Sequence, residues 1–348
     1  MLTQEDIDNF NADEAGVNNG AYFGFPFEPE KCQLHLITVP WDVTVSFHDG
    51  TSHGPKAIIA ASTQVEIHDD HYPQAWQKGI ATLEPLEFAV DYNHETRRKA
   101  RLIIQELEST HNTLEDKERE ELYSDINTAC EKLNVEVYNT AKNIIEQNKI
   151  PALIGGDHST PLGLIKALAE KQPLGILHLD AHMDLRDAYE GFTYSHASIM
   201  NNASKLTGVE KITQVAIRDY SLKEVNYAAK QSKITQFSEN TINSKKFKGD
   251  TWHQICSEII DTLPQNVYIS FDIDALTPDN CPATGTPVPG GISFQEVSYL
   301  LKTLHESGRK VVGFDMVEVA PSETGEWDAN VGARLLYKLA LLTLASQA

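Results

Sequence analysis

The sequence predicts an α/β protein of three layers, in which a mostly parallel β-sheet carries helices on both faces. From residue 150 onward, short apolar runs rich in strand-forming residues alternate with helical stretches. Almost continuously apolar strands are typical of parallel sheets that helices cover on both faces. The chain has 348 residues, of which 41% are hydrophobic, so it can bury a core of the size that this architecture needs.

The predicted elements follow in order along the chain. A first strand leads into a helix start and a mostly helical region, and five further strands each precede helical sequence. The predicted strands are 32–40, 150–156, 174–180, 211–219, 266–274 and 310–319. The predicted helices are 54–62, most of 95–148, 160–172, a stretch from about residue 196, 221–232, 250–264, 293–308 and 329–346.

The chain is expected to form one domain behind a short extension. Residues 1–31 carry few aliphatic side chains and many Asn, Asp and Glu. They indicate an N-terminal extension that wraps the surface or packs on a neighbouring subunit. Residues 32–348 contain no internal repeat, no low-complexity segment and no linker, so we expect a single α/β domain there.

The net charge of −21 is the one unusual bulk property. It disfavours nucleic acid and anionic membranes as partners, because both are bound by basic patches. The charge is compatible with a cationic substrate, although an acidic, solvated surface that aids solubility is the simpler explanation.

Cysteine usage and the absence of targeting signals predict a cytoplasmic protein. The four cysteines are far apart and form no CxxC pair, as is typical of reduced thiols. No apolar run approaches the roughly 18 residues of a membrane span. The first residues also lack the basic and apolar regions of a secretory signal.

Three segments place metal-binding residue types at the carboxyl ends of predicted strands. They are GGDHS at 155–159, LDAHMD at 179–184 and SFDID at 270–274. Ligand sites of parallel sheets form at these strand ends, and alternate residues of an extended chain share one face. The side chains expected to converge are His158, Asp180, His182, Asp184, Asp272 and Asp274.

This residue set predicts a binuclear metal site. Alone, each motif fits a turn or a helix cap, but three on successive α/β units would bury four carboxylates without a counter-charge. Two imidazoles and four carboxylates exceed the four ligands of a closed zinc site. Two divalent ions about 3.5–4 Å apart can share bridging carboxylates and activate water. Oxygen ligands with some imidazole favour Mn²⁺, while Fe²⁺, Co²⁺ and Ni²⁺ stay open.

These motifs resemble those of the ureohydrolase (arginase/agmatinase) family. The likeness rests on GGDHS, DAHMD and SFDIDALTPD followed by TGTPVPGG, with PWDVTVSFHDGTSHGPKAI near the start and DMVEVAP near the end. It spans roughly residues 34–346 and implies an arginase-like fold. The interval from Asp184 to His196 resembles agmatinase-like members more than arginases.

The resemblance implies a division of the ligands between two manganese ions. One ion is held by His158, Asp180, Asp184 and Asp272. The other is held by His182 and Asp274, and Asp180 and Asp272 bridge the two. The resemblance also implies that Glu318 pairs with a guanidinium group and that His196 transfers a proton or positions the substrate. A carboxylate suits the first task and a titrating imidazole suits the second.

The implied reaction is attack of metal-bound hydroxide on a guanidino carbon, which yields urea and an amine. Agmatine, giving putrescine and urea, is the first substrate expected. Guanidino acids, guanidine and formimidoylglutamate are alternatives. Arg186 would bind a carboxylate tail, or else pair with Asp187, Glu190 or the N-terminal segment. Tyr189 would line the tail pocket or simply pack.

Two further classes compete with this interpretation. A catalytically silent binding protein of the same fold would be indicated by the loss of a ligand, and none is lost. A deacetylase on the related fold would use a single zinc ion, which disagrees with two histidines and four aspartates. By resemblance we expect a homo-oligomer, a trimer or a hexamer.

Overall fold

An eight-stranded sheet lies at the centre of the protein. The computed structural model describes residues 1–110, 114–322 and 325–347. The strands are β1 (Leu34–Val39), β2 (Ile80–Thr82), β3 (Ile150–Gly155), β4 (Leu174–Leu179), β5 (Val209–Val215), β6 (Ile234–Phe237), β7 (Asn266–Asp272) and β8 (Lys310–Val317). They lie in the order β2-β1-β3-β8-β7-β4-β5-β6, and neighbouring strands pair in parallel.

Helices connect the strands. The α-helices of the described residues are α1 (Gln4–Asp8), α2 (Gly54–Ser62), α3 (Glu87–Glu108), α4 (Asp116–Glu146), α5 (Leu162–Lys171), α6 (Ile199–Ser204), α7 (Leu222–Ala228), α8 (Glu239–Lys248), α9 (Trp252–Asp261), α10 (Phe294–Glu306) and α11 (Trp327–Ala345). No described helix is long and apolar enough to cross a membrane.

The helices form one layer on each face of the sheet. Side chains of α2, α9, α10 and α11 pack in one apolar core, and those of α3, α4, α5 and α6 pack in the other. Strand β4 shows how the sheet separates them, because Leu177 and Leu179 enter the first core and Leu174 and Ile176 enter the second. The three-layer α/β prediction is therefore confirmed.

Element boundaries and short elements differ from the predictions. Strands β5, β7 and β8 end earlier than expected, at Val215, Asp272 and Val317. The short strands β2 and β6 and helix α8 were not predicted, because three or four residues, or a helix with a weakly apolar face, give little periodicity. Helices α7, α9 and α10 each begin just after a Ser or Thr of a capping box, since the cap residue itself is not helical.

Residues 1–31 contribute side chains to the first apolar core. Tyr22, Phe23 and Phe25 are 0%, 2% and 3% exposed. The Phe23 ring lies 4.8 Å from the ring of Tyr337 in α11, and its backbone N–H donates to Ser62 Oγ at 2.7 Å. The segment that was expected to lie on the surface or on a neighbouring subunit is thus partly buried within its own chain.

Truncation of Phe23 tests how far the fold depends on this segment. Burying a phenylalanine contributes strongly to stability, so we expect Phe23→Ala to lower the free energy of unfolding by about 3 kcal/mol. Phe247→Ala is the matched control, because Phe247 is 88% exposed and its loss should change stability by less than about 0.5 kcal/mol. Urea denaturation followed by circular dichroism measures both. Equal effects of the two variants would show that the N-terminal segment is not part of the cooperative core.

Candidate metal centre

Four adjacent central strands deliver the candidate site. In the sheet these strands lie in the order β3, β8, β7, β4. His158 follows β3, Glu318 is the first residue after β8, Asp272 ends β7 and Asp180 is the first residue after β4. Since parallel strands present their carboxyl ends at one edge, the four segments meet there.

His158 lies at the centre of the first group of side chains. Its Nδ1 atom is 3.1 Å from Asp180 Oδ2, 3.1 Å from Asp184 Oδ2 and 3.4 Å from Asp272 Oδ2. All four residues are at most 4% exposed. Three buried carboxylates therefore face one imidazole nitrogen.

His182 lies at the centre of the second group. Its Nδ1 atom is 3.1 Å from Asp274 Oδ2 and 3.5 Å from Asp180 Oδ1. The backbone N–H of Ala181 donates to Asp274 Oδ1 at 2.9 Å and leaves Oδ2 facing His182. The structure thus brings together all six side chains that the sequence predicts as metal ligands.

Asp180 connects the two groups, one carboxylate oxygen to each. Oδ2 accepts a hydrogen bond from His178 Nε2 at 2.8 Å and faces His158. Oδ1 accepts from the backbone N–H of His182 at 2.5 Å and faces the ring of that residue. Each oxygen keeps a lone pair for its own group, which is the arrangement that a bridging carboxylate needs.

Tight turns, and not extended backbone, make these side chains converge, so the geometric reason given for the prediction was wrong. Strand β4 stops at Leu179, and Asp184 adopts a left-handed conformation with φ of 53°. After Asp272 the chain enters a single 3-10 turn over Ile273–Ala275, and Asp272 Oδ1 caps it by accepting from Asp274 N at 2.9 Å. The positive φ is uncommon outside glycine, although aspartate tolerates it better than most residues.

The hydrogen bonds around His158 suit a metal ion. Ser270 Oγ donates to Asp315 Oδ1 at 3.1 Å, so it must accept from His158 Nε2, which lies 2.9 Å away. In a neutral ring the proton is then on Nε2, and Nδ1 carries a buried lone pair with no hydrogen bond to any described residue. A bare imidazole nitrogen among three carboxylates is the donor set of a divalent cation.

The carboxylates show the same need for a cation. Burial, together with the charges of Asp274 and Asp180, raises the pKa of Asp272 well above its usual range. Burial and the charge of Asp180 raise the pKa of Asp184 to about 6. Both shifts express repulsion that a bound cation would relieve.

Glu318 carries an unpartnered oxygen beside this cluster. Its Oε1 atom accepts from the backbone N–H of His158 at 2.8 Å, whereas Oε2 is buried without a hydrogen bond among the described residues. Its backbone φ is 62°, and a Cβ atom at Gly285 would lie 3.2 Å from Oε2. The glycine therefore leaves space next to a free, buried carboxylate oxygen.

His196 is held in place through Thr44. The Thr44 hydroxyl donates to Asp157 Oδ2 at 3.0 Å and accepts from the backbone N–H of His196 at 3.0 Å. His196 Nδ1 lies 3.4 Å from the same hydroxyl and 3.3 Å from Ser195 Oγ. Burial, together with the charges of His182 and His158, lowers the pKa of His196 to about 3, so the ring is neutral at pH 7.

A cavity of about 320 Å³ opens next to the cluster. Of the predicted site residues, His182, Asp184, Arg186, Tyr189 and His196 line it. The Arg186 guanidinium lies 4.6 Å above the Tyr189 ring, which meets the His196 ring edge-on at 5.9 Å. Arg186 and Tyr189 therefore lie on the cavity wall, and the expected pairing of Arg186 with Asp187 or Glu190 is not observed.

Several residues that support the cluster were not predicted from the sequence. His178 and Asp315 are fully buried beneath it, and Thr44 connects Asp157 to His196. Arg218 Nη2 donates to Asp274 O at 2.7 Å and to Val288 O at 2.9 Å, which ties the loop after β7 to the end of β5. A histidine inside the otherwise apolar run LGILHL was a usable signal for His178.

The fold and the cluster define a parallel α/β protein with possible metal ligands at the ends of its central strands. The arginase family model matches residues 32–342. The chain is 28% identical over 315 residues to the N(1)-aminopropylagmatine ureohydrolase of Thermococcus kodakarensis. The alignment covers 90% of this chain and 92% of that protein. The chain is 34% identical over 330 residues to the agmatinase of Bacillus subtilis, with 90% and 93% covered.

A solved structure agrees in fold. The proclavaminate amidino hydrolase from Streptomyces clavuligerus superposes with a TM-score of 0.73 at 22% identity, and the match covers 94% of this chain and 97% of that one. This chain belongs to the arginase family. It is accordingly a hydrolase of carbon–nitrogen bonds other than peptide bonds, in linear amidines.

Removing the charge of Asp272 tests the cluster as a metal centre. Asp272→Asn keeps the side-chain shape but replaces one of the charged oxygens that face His158, so we expect metal-loaded protein to retain fewer than two ions per chain after dialysis. Elemental analysis measures the metal content. Asp187→Asn is the control, because the Asp187 side chain is 89% exposed and its ion pair among the described residues is with Lys205. Two ions retained by the Asp272 variant would contradict the assignment.

Proposed function

We propose that this protein hydrolyses a guanidino group and releases urea and an amine. The observation that carries the proposal is the buried Oε2 atom of Glu318 beside the carboxylate–imidazole cluster, which has no hydrogen bond to any described residue. A buried carboxylate oxygen without a donor is unfavourable, and a cationic N–H group of a substrate would satisfy it. A guanidinium ion is a planar cation with such N–H groups.

We assign two Mn²⁺ ions to the cluster, and Fe²⁺, Co²⁺ and Ni²⁺ also suit these donors. His158, Asp180, Asp184 and Asp272 would hold one ion. His182 and Asp274 would hold the other, with Asp180 and Asp272 shared. When bound, such a pair of ions supplies an activated water and positive charge for the hydrolysis of a planar carbon centre.

Glu318 orients the substrate in this proposal. Oε1 is fixed by the backbone of His158, so Oε2 has a defined position next to Gly285. An N–H group that donates to Oε2 would set the plane of the guanidinium and the direction from which its carbon is approached. The same contact would favour a cation over a neutral amide.

His196 handles the proton in this proposal. The leaving amine must gain a proton as the carbon–nitrogen bond breaks, and a neutral imidazole on the cavity wall would pass that proton on or hold the substrate in place by a hydrogen bond. The Thr44 hydroxyl accepts from the backbone N–H of His196. The hydroxyls of Thr44 and Ser195 both lie next to His196 Nδ1, so Nε2 is the ring nitrogen that remains for the reaction.

We propose agmatine as the first substrate to consider, with putrescine and urea as products. The relatives named agmatinase and N(1)-aminopropylagmatine ureohydrolase support a substrate whose tail is also cationic. Asp219 supports it too, because its exposed carboxylate lines the cavity and no described residue forms a side-chain hydrogen bond with it. This side chain could receive the terminal ammonium group.

A guanidino acid is the second candidate, and Arg186 favours it. The side chain of Arg186 lies in the cavity wall and forms no side-chain hydrogen bond within the described ranges. Its nearest carboxylate, Glu224, is 3.8 Å away, and Glu224 already accepts hydrogen bonds from Ser221 and Leu185. A guanidinium held by this one long ion pair would bind a carboxylate tail and would repel an ammonium tail.

The proposal also covers domain organisation, assembly and location. We propose that residues 32–348 form one catalytic domain preceded by the extension 1–31, and that the protein assembles as a trimer or hexamer. We also propose that it works in the cytoplasm, which the four free, buried cysteines support. Nucleic acid and membranes are not expected as partners.

A substrate panel with two matched variants tests the function and separates the candidates. The Mn²⁺-loaded protein is assayed for urea, ammonia or formamide with agmatine, arginine, 4-guanidinobutyrate, guanidine and formimidoylglutamate. If agmatine is the substrate, Asp219→Asn should lower its kcat/KM by about tenfold or more, while Arg186→Gln should not lower it. If a guanidino acid is the substrate, the effects reverse. Absence of turnover with either Mn²⁺ or Ni²⁺ would contradict the proposal and favour a silent binding protein.

Glu318→Gln tests the orienting carboxylate. Glutamine keeps the oxygen that accepts from His158 but places an NH₂ group where Oε2 lies, so it would repel a guanidinium. We expect kcat/KM to fall by about 100-fold, in line with the loss of a charged hydrogen bond. The metal content should not change. A Glu318→Gln variant with full activity would remove Glu318 from the substrate site.

A further inference from the structure

A row of polar side chains on the second face of the sheet runs beneath the cluster to Asp180. Its members are Gln236, Gln214 and His178, which lie on the neighbouring strands β6, β5 and β4. Gln214 and His178 are completely buried. Neither the sequence motifs nor the proposed mechanism gives these residues a role.

The hydrogen bonds of Gln214 fix the orientation of its amide. Gln214 Nε2 lies 2.7 Å from the carbonyl oxygen of Met183 and 3.0 Å from His178 Nδ1. Gln214 Oε1 accepts from Gln236 Nε2 at 3.0 Å. Exchanging the amide atoms would place an oxygen against the Met183 carbonyl, so both N–H groups of Gln214 are donors and His178 Nδ1 accepts one of them.

The position of the His178 proton follows from this. With Nδ1 occupied as an acceptor, a neutral ring carries its hydrogen on Nε2, and Nε2 donates to Asp180 Oδ2 at 2.8 Å. Both ring nitrogens are then used. The distances alone would also allow a metal group of His158, His178, Asp180 and Asp184, but His178 has no lone pair left for an ion.

We propose that Gln214 and His178 are positioning residues, which keep a proton on His178 Nε2 and thereby hold Asp180 in the orientation that serves both ions. The inference rests on the proposed metal centre. One lone pair of Oδ2 is used by His178 and one of Oδ1 by the backbone N–H of His182, so the carboxylate cannot rotate without losing a buried hydrogen bond. Each oxygen then offers its remaining lone pair to one group of the cluster.

The two fully buried histidines therefore have opposite roles. His158 presents an unprotonated Nδ1 to the carboxylates because its Nε2 donates to Ser270 Oγ, which itself donates to Asp315. His178 presents a proton to a carboxylate because Gln214 supplies a donor on its other side. The hydrogen-bond partner on the far side of each ring decides which histidine can be a ligand.

A pair of amide substitutions at residue 178 tests this inference. The amide nitrogen of glutamine reaches about as far from the backbone as imidazole Nε2, and that of asparagine only as far as Nδ1. His178→Gln should therefore keep the donor to Asp180 and bind Mn²⁺ within about threefold of the unaltered protein. His178→Asn should lose the donor and bind Mn²⁺ more weakly by about 10- to 100-fold, as is typical when a residue that supports a metal ligand is replaced.

The measurement is equilibrium dialysis of the full chain against Mn²⁺ alone, with thermal unfolding of the metal-free proteins to verify folding. Gln214→Met is an independent test, because it removes both N–H donors of residue 214 at nearly constant side-chain volume. It leaves His178 and the metal ligands unsubstituted, and we expect it to weaken Mn²⁺ binding. Equal affinities of His178→Gln and His178→Asn, or unchanged affinity in Gln214→Met, would overturn the inference. Since affinity is measured without substrate, failure here is distinguishable from failure of the guanidino assay.

Discussion

The constraint on which the rest of the structure depends is the burial of four aspartates at the end of one sheet. Asp180, Asp184, Asp272 and Asp274 are at most 4% exposed and face two imidazoles. Like charges at such distances in a medium of low polarity repel strongly, and burial together with this repulsion raises the pKa of Asp272. Cations between them turn the same arrangement into an attractive one.

That constraint determines how the surrounding polar groups are used. A buried proton on the wrong nitrogen would convert a ligand into a repelling group, so each imidazole needs a partner that fixes its tautomer. Ser270 and Asp315 do this for His158, and Gln214 does it for His178. Ser270, Asp315 and Gln214 therefore belong to the metal centre, although they are not among its proposed ligands.

The sequence predicted the layers of the fold and the membership of the cluster because both leave local signals. Long apolar strands and short dense motifs can be recognised within a few residues, whereas strand β2 has only three residues and gives no pattern. The 3-10 turn that directs Asp274 into the cluster is capped by Asp272 Oδ1, which accepts from Asp274 N. The spacing of the two residues in the sequence does not reveal this hydrogen bond. Thr44 could not be connected with His196 because 152 positions separate them, and only the folded sheet brings them together.

The cluster and the tail pocket are built from different parts of the fold, and this separates reaction class from substrate. His158, Asp180, Asp272 and Glu318 lie at or next to strand ends, where paired neighbours fix the backbone. Arg186, Tyr189 and Asp219 lie in connecting segments beyond the strands, where side chains can change without disturbing the sheet. In the proposed function, the strand-end residues would hold the ions and orient the planar cationic carbon that water attacks. Arg186 and Asp219 carry opposite charges on the wall of the same cavity. In the proposed function, Arg186 would favour a substrate with an anionic tail and Asp219 one with a cationic tail, so these two residues would decide which guanidino compound is hydrolysed.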